Sequence, residues 1–257
     1  MVEIDSFSKV AFTGNTKLTK KCMEATLPYS NIVALFGLSA EELSDKTNSL
    51  DLTEFCEEHD IKLFSDKDWT EFRIYCQQNE VDSVITIGDS RIIPPTIIDS
   101  FDVIGNHGAV LPYVPGGASL VWGRLLNTGE WGVSIMKIVE KVDAGDILKT
   151  KTFQYGEGFT EAEFVETCDD LTVECLVDVL RGDYTISSNR KYDVRVSKHT
   201  DSEKAVSVLR HCLENGLCVY MPPRTPDDSV VNPNWSDDFI EVFKIAQNTP
   251  YPKWKEE

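Results

Sequence analysis

Basic residues are scarce in this chain: 25 Lys and Arg stand against 43 Asp and Glu, a formal net charge of −18. Such a balance repels a phosphate backbone, and no Lys/Arg cluster is large enough to reverse it locally, so no nucleic acid is expected as a main partner. Long apolar runs are missing as well. Nothing approaches the ~18–20 consecutive apolar residues of a membrane span, and "MVEIDSFSKVAF" lacks the basic and apolar regions of a signal peptide. The expectation is a cytoplasmic protein with no membrane partner. Seven cysteines, at 22, 56, 76, 168, 175, 212 and 218, include no C-x-x-C pair. Zinc-ligand spacing is therefore absent, no metal is expected, and the thiols read as buried and reduced. Glycine is thin where a dinucleotide fingerprint would need it: "FTGNTKLTKK" has one glycine in place of three, which argues against a nicotinamide oxidoreductase.

What is present is the composition of an ordinary globule, 41% hydrophobic and 26% charged over 257 residues, enough to bury a core without disulfides. Apolar periodicity alternates between strand and helix. "KVAFTG", "NIVALFG", "IKLFS" and "VDSVITIGD" read as strands, and "TKLTKKCMEATL", "LDLTEFCEEHD" and "DWTEFRIYCQQNE" as helices, the last capped at Asp68. That alternation predicts parallel pairing with right-handed crossovers, an α/β fold with a Rossmann-like, mainly parallel twisted sheet flanked by helices. "TGEWGVSIMKIVE" and "LKTKTFQY" continue extended, and "TEAEFVETCDDLTVECLVDVLRG" is the longest helix, opened by Thr160 and Glu163 at capping-box spacing. Past residue 184 the chain turns polar and turn-rich. The expected organisation is a catalytic core over 1–184 and a small C-terminal extension over 185–257.

Ligands of such sheets gather beyond the carboxyl ends of the strands, where loops are free to carry chemistry. "GDSRIIPP" (88–95) and "GNHGAVLP" (105–112) each follow a strand and should open on one cleft. His107 sits there among glycine and proline, either as an acid, base or donor near neutral pH or as a turn histidine satisfied by a carbonyl. Asn106 offers an amide donor to a developing oxyanion, or simply suits a left-handed turn. In "KIVEKVDAGDIL" Asp143 stands at a bend after an apolar strand, where its carboxylate can point back toward the His107 loop; capping is the alternative for Asp143 and Asp146. Trp122 in "SLVWGRLL" reads as a core helix residue.

Three blocks make the chain resemble the folate-dependent formyltransferases, which act on methionyl-tRNA, glycinamide ribonucleotide or nucleotide-linked amino sugars. They are "NHGAVLPYVPGGASLVWGRLLNTGEWGVSIMKIVEKVDAGDIL", "SRIIPPTII", and "RTPDDSVVNPNWSDDFIEVFKIAQNTPYP". The resemblance implies 10-formyltetrahydrofolate as co-substrate, with the pterin between Ser90, Arg91 and Ile92 on one wall and Val142 on the other. It also implies catalytic roles for Asn106 and His107 at the oxyanion and for Asp143 in orienting His107 and moving a proton. Plain core is the alternative for Ile92 and Val142, and a surface charge for Arg91. Arg224 and Tyr251 fall on the substrate side or pack the extension. The family's asparagine stands two residues before the histidine; here Gly105 holds that place and Asn106 adjoins His107. Val114-Pro115 stands where many members carry an arginine.

Among the family's substrates the resemblance points to a nucleotide-linked amino sugar, because the amino-sugar enzymes have a short C-terminal extension of about this size. Another small amine, such as glycinamide ribonucleotide, is the second reading, and a folate-binding homologue that has lost turnover is the third. The apolar extension could form a homodimer surface.

Overall fold

The computed structural model of the chain describes residues 7–38, 43, 49–65, 68–156, 158–248 and 253–256; Tyr251 lies outside them. Strand and helix alternate from the start. β1 (Lys9–Thr13), α1 (Lys17–Thr26), β2 (Asn31–Phe36), α2 (Thr53–Glu58), β3 (Lys62–Phe64), α3 (Trp69–Gln78), β4 (Ser83–Thr86), α4 (Pro95–Ile98) and β5 (Asp102–His107) follow one another. After them come α5 (Ser119–Leu126), β6 (Glu130–Lys137), β7 (Ile147–Gln154) and the long α6 (Glu161–Leu180).

One seven-stranded sheet has the order β3-β2-β1-β4-β5-β6-β7, and β1 pairs in parallel with β2 and β4, β2 with β3, and β4 with β5. Strands step outward from β1 on one side and resume with β4 on the other, which is the Rossmann-like order expected from the sequence. Helix starts follow the side-chain chemistry. Asp68 Oδ1 accepts from Thr70 N at 2.8 Å, while Thr160 and Glu163 bond reciprocally, Thr160 N to Glu163 Oε2 at 2.8 Å and Glu163 N to Thr160 Oγ1 at 3.2 Å. These bonds satisfy first-turn donors that a helix cannot satisfy internally.

The chain divides into two compact units. The first comprises Met1–Asn106, Ile135–Lys149 and Thr172–Ile186; the second comprises His107–Ser134, Thr150–Leu171 and Ser187–Glu257. This partition differs from the sequence boundary at 184, since 107–134 and 150–171 group with the segment after 187. In the first unit, Phe36, Phe72, Phe64, Val84 and Ile97 form the core beside the sheet, and Trp69 stacks on Phe36 at 4.1 Å between ring centroids. Each such side chain contributes roughly 1.5–3 kcal/mol by leaving water.

In the second unit α5 packs against α7 (Ser202–Glu214) and α8 (Asp237–Ala246). Trp122 is the core residue expected there, and its indole N–H donates to Pro222 O at 2.8 Å. Two short parallel ribbons complete the unit, β8 (Val194–Arg195) with β9 (Val219–Tyr220) and β10 (Val230–Val231) with β11 (Lys255–Glu256). All seven cysteines are buried, as expected from the sequence. Among the described residues no helix is long and apolar enough to cross a membrane, and no group of His, Cys, Asp and Glu could hold a metal ion.

Candidate active site

The first unit carries a cleft of about 160 Å³ where β4, β5 and β6 end. Five residues singled out in the sequence line it: Arg91, Ile92, Asn106, Val142 and Asp143. Ser90 lines a separate cleft of about 140 Å³ with Gly14 and Gly88, where β1 and β4 end.

Arg91 is neither a free surface charge nor a mobile ligand hook. Its Nε donates to both oxygens of Asp89 at 2.9 and 3.2 Å, Nη1 to Gly37 O at 2.6 Å, and Nη2 to Phe36 O at 2.9 Å. The guanidinium also lies 4.6 Å from the centroid of Phe36. Buried Asp89, whose side chain is nearly inaccessible, and two carbonyls at the end of β2 thus fix the 88–93 loop to the sheet. The sequence reading missed Asp89, although an Asp two residues before Arg just past a strand is the available signal.

That clamp presents the next residue outward. Ile92 is 72% exposed and Val142 51% exposed on the same cleft, with Val139 also exposed, so the plain-core alternative for Ile92 and Val142 does not hold. Exposed aliphatics gathered on one concave surface, rimmed by an amide and carboxylates, suit a flat heterocycle with polar edges.

Asp143 occupies a tight turn at φ +51°, a left-handed conformation that aspartate tolerates better than most side chains. Gly145 explains how the turn closes: a Cβ there would fall onto Lys137 O, while Lys137 N bonds Asp146 O at 2.8 Å. Only glycine allows the turn to lie against the end of β6 and so bring Asp143 to the cleft wall.

Asn106 and His107 are the last two residues of β5, where the sequence reading had placed a loop. Consecutive strand residues send their side chains to opposite faces. Asn106 lines the cleft, its Oδ1 accepting from Gly88 N at 3.4 Å. His107 is 7% exposed, and its Nε2 lies 2.7 Å from Val114 O. Gly105, at the place where the resembled family has asparagine, has no room for a side chain. A Cβ would meet Thr86 Cγ2 at 2.7 Å and Ile138 Cδ1 at 2.8 Å.

Arg224 belongs to the second unit. Its guanidinium lies 4.9 Å from the ring centroid of Trp122 and 5.7 Å from that of Phe243, donating to Ser202 Oγ at 2.9 Å and Asp228 O at 2.5 Å. Burial pulls its pKa down to about 10 against the opposite pull of Asp228, so it stays cationic at neutral pH.

A parallel sheet of this order, with a cleft at its strand ends holding an amide, a turn-borne carboxylate and exposed aliphatics, defines a Rossmann-like enzyme scaffold. The chain belongs to the formyl transferase family, whose pattern matches residues 13–180. Methionyl-tRNA formyltransferase of Mycoplasma pneumoniae is 26% identical over 184 residues, covering 68% of this chain and 59% of that protein. The chain thus spans about three-fifths of the length of that curated relative. In fold, the chain is similar to methionyl-tRNA formyltransferase from Clostridium thermocellum, with TM-score 0.62, 13% identity and coverage of 97% and 88% of the two chains. It is likewise similar to WlaRD, described as a sugar 3N-formyl transferase in the presence of dTDP and 5-N-formyl-THF, with TM-score 0.60, 14% identity and coverage of 93% and 79%.

Proposed function

We propose that this protein transfers the formyl group of 10-formyltetrahydrofolate to the amino group of a nucleotide-linked amino sugar. The observation that carries the reading is the cleft of the first unit, which joins Asn106 and Asp143 to the exposed faces of Ile92 and Val142. Family membership supplies the reaction class, and WlaRD, crystallised with a formylated folate and dTDP, is the neighbour whose description favours a sugar amine over tRNA. The charge of −18 favours the same choice, because a polyanionic substrate would meet a repelling surface.

Bound 10-formyltetrahydrofolate supplies an electrophilic formyl carbon. The aliphatic faces of Ile92 and Val142 cover the pterin and exclude water from it. With its Oδ1 engaged by Gly88 N, Asn106 offers Nδ2 as donor to the formyl oxygen as charge grows there. The amine nitrogen bonds to the formyl carbon, the bond from that carbon to the folate nitrogen breaks, and the proton lost by the amine ends on that nitrogen. Asp143 accepts and returns this proton through water. His107 is assigned the imidazole role implied by its motif, and loss of transfer in His107→Asn tests that assignment.

The decisive experiment incubates the protein with 10-formyltetrahydrofolate and a panel of UDP- and dTDP-linked amino sugars, glycinamide ribonucleotide and methionyl-tRNA, following release of tetrahydrofolate. Release with a nucleotide amino sugar alone is the expected result. Release only with glycinamide ribonucleotide or tRNA would replace the substrate. One feature favours a second reading, a folate-binding homologue without turnover: Gly105 cannot regain the asparagine without displacing Thr86 and Ile138. Folate-induced thermal stabilisation with no release from any amine would establish that reading.

A further inference from the structure

Three residues stand level near the ends of β1, β4 and β5. Register pairs Thr13 with Thr86 and Thr86 with Gly105, so the three positions share one face of the sheet. Thr13 is fully buried, and its Oγ1 donates to Thr86 Oγ1 at 2.8 Å. Thr86 is half-buried and lines the strand-end cleft together with Asn106, Ile92, Val142 and Asp143. Gly105 leaves the room that Thr86 occupies: a Cβ at 105 would lie 2.7 Å from Thr86 Cγ2.

Burial sets the direction of the proton between the two hydroxyls. Each hydroxyl has one proton to donate and two lone pairs to accept with. Thr13 is closed off from water, and Thr86 Oγ1 is the acceptor that satisfies its proton. Thr86 therefore keeps its own proton for another partner, and among the described residues nothing accepts it. Accepting from Thr13 also holds Oγ1 in place and polarises its O–H bond, which strengthens it as a donor. The wall of the cleft thus carries a fixed hydroxyl with its donor unused.

We propose that Thr86 is a catalytic residue, its hydroxyl the second donor to the formyl oxygen beside Asn106 Nδ2. The crowding that closes position 105 to a longer side chain supplies this donor from the neighbouring strand instead. Attack by the amine turns the formyl oxygen into an oxyanion, and donors from β4 and β5 take up the growing charge. The amine nitrogen joins the formyl carbon, the bond from that carbon to the folate nitrogen breaks, and the amine's proton ends on that nitrogen. Thr86 donates a hydrogen bond and gives up no proton. The assignment rests on the proposed formyl transfer.

Steady-state transfer, equilibrium folate binding and infrared spectra of the bound formyl group test it. Thr86→Val removes the donor and keeps the shape, and kcat is expected to fall about 10- to 100-fold with KM and folate affinity nearly unchanged. It also leaves the buried Thr13 hydroxyl without its acceptor, so the double variant Thr13→Val with Thr86→Val separates catalysis from stability. That double variant is expected to melt near the wild-type temperature and to remain as slow as Thr86→Val. Thr86→Ser keeps the donor and is expected to recover most of the loss. Wild-type turnover in Thr86→Val or in the double variant overturns the proposal, as does Thr86→Ser as slow as Thr86→Val. The infrared measurement needs no turnover. With 10-formyltetrahydrofolate carrying an isotope-labelled formyl group, and no amine present, the bound carbonyl stretch is expected at lower wavenumber in wild type than in Thr86→Val, because a donor weakens the C=O bond. Equal frequencies overturn the proposal, and failure of wild type to bind the folate overturns both it and the reading it rests on. A shifted band in a protein that transfers to no amine supports the donor and overturns the proposed activity, so the two failures are distinguishable.

Discussion

Arg91 in the first unit and Arg224 in the second are built alike and surrounded differently. Each guanidinium rests on aromatic rings and donates to backbone carbonyls, yet Arg91 is bound to buried Asp89, whereas Arg224 has no carboxylate as a direct hydrogen-bond partner among the described residues. A cation neutralised in place stiffens a loop, whereas Arg224 donates to a hydroxyl and a carbonyl while nearby Asp228 favours its charge. The strand-end cleft, with Asp143 on its wall, therefore suits a proton-moving reaction on a largely apolar co-substrate. A cavity at the start of α5 has no acid among its described lining residues.

Substitutions that exchange these qualities break the comparison, and the largest effect is expected at the cleft amide. Asn106→Ala is expected to lower formyl transfer by about 10²–10³ while leaving folate affinity nearly unchanged, measured by steady-state rates beside equilibrium binding. Asn106→Ala retaining full turnover would remove the amide from the reaction. Next in size is Gly145→Ala: a methyl driven onto Lys137 O should cost about 1–3 kcal/mol in urea unfolding and displace Asp143 with its turn. A variant as stable as wild type would show that the turn has slack.

Ile92→Ser is smaller, with an expected rise of about tenfold in the folate dissociation constant and little change in melting temperature, since the side chain is mostly exposed before ligand binds.

The last prediction concerns stability within the second unit. Glu161 lies 3.6 Å from Arg124 Nε, its side chain 1% exposed and neither carboxylate oxygen hydrogen-bonded, while the Arg124 guanidinium lies over the rings of Tyr155 and Phe164. Burial raises its pKa to about 8 although Arg124 pulls the other way. A raised carboxyl binds its proton more tightly in the folded state, so this contribution to stability is full below about 4.5 and lost as pH rises through about 8. Melting temperature should fall across that window in wild type and fall less in Glu161→Gln. Parallel profiles would refute the assignment.

Sequence patterning disclosed the strand–helix alternation, the sheet class and the caps at Asp68 and Thr160, because periodicity and capping are local properties; Asn106 and Asp143 were read from their places after strands, and Arg91, Ile92 and Val142 came to the cleft only through the family resemblance. Burial of particular side chains is not local. Ile92 and Val142 have the composition of core residues and are outward-facing only because Asp89 and Gly145 hold their loops against the sheet. β5 runs on through Asn106 and His107, which glycine-rich neighbours disguised as loop.

Asp143→Asn tests the central claim most directly, because it removes the proton acceptor and keeps the shape of the cleft. With saturating 10-formyltetrahydrofolate and an accepted amine, the account expects folate affinity like that of wild type and tetrahydrofolate release slower by about 10²-fold or more. Release at the wild-type rate with unaltered affinity would contradict it.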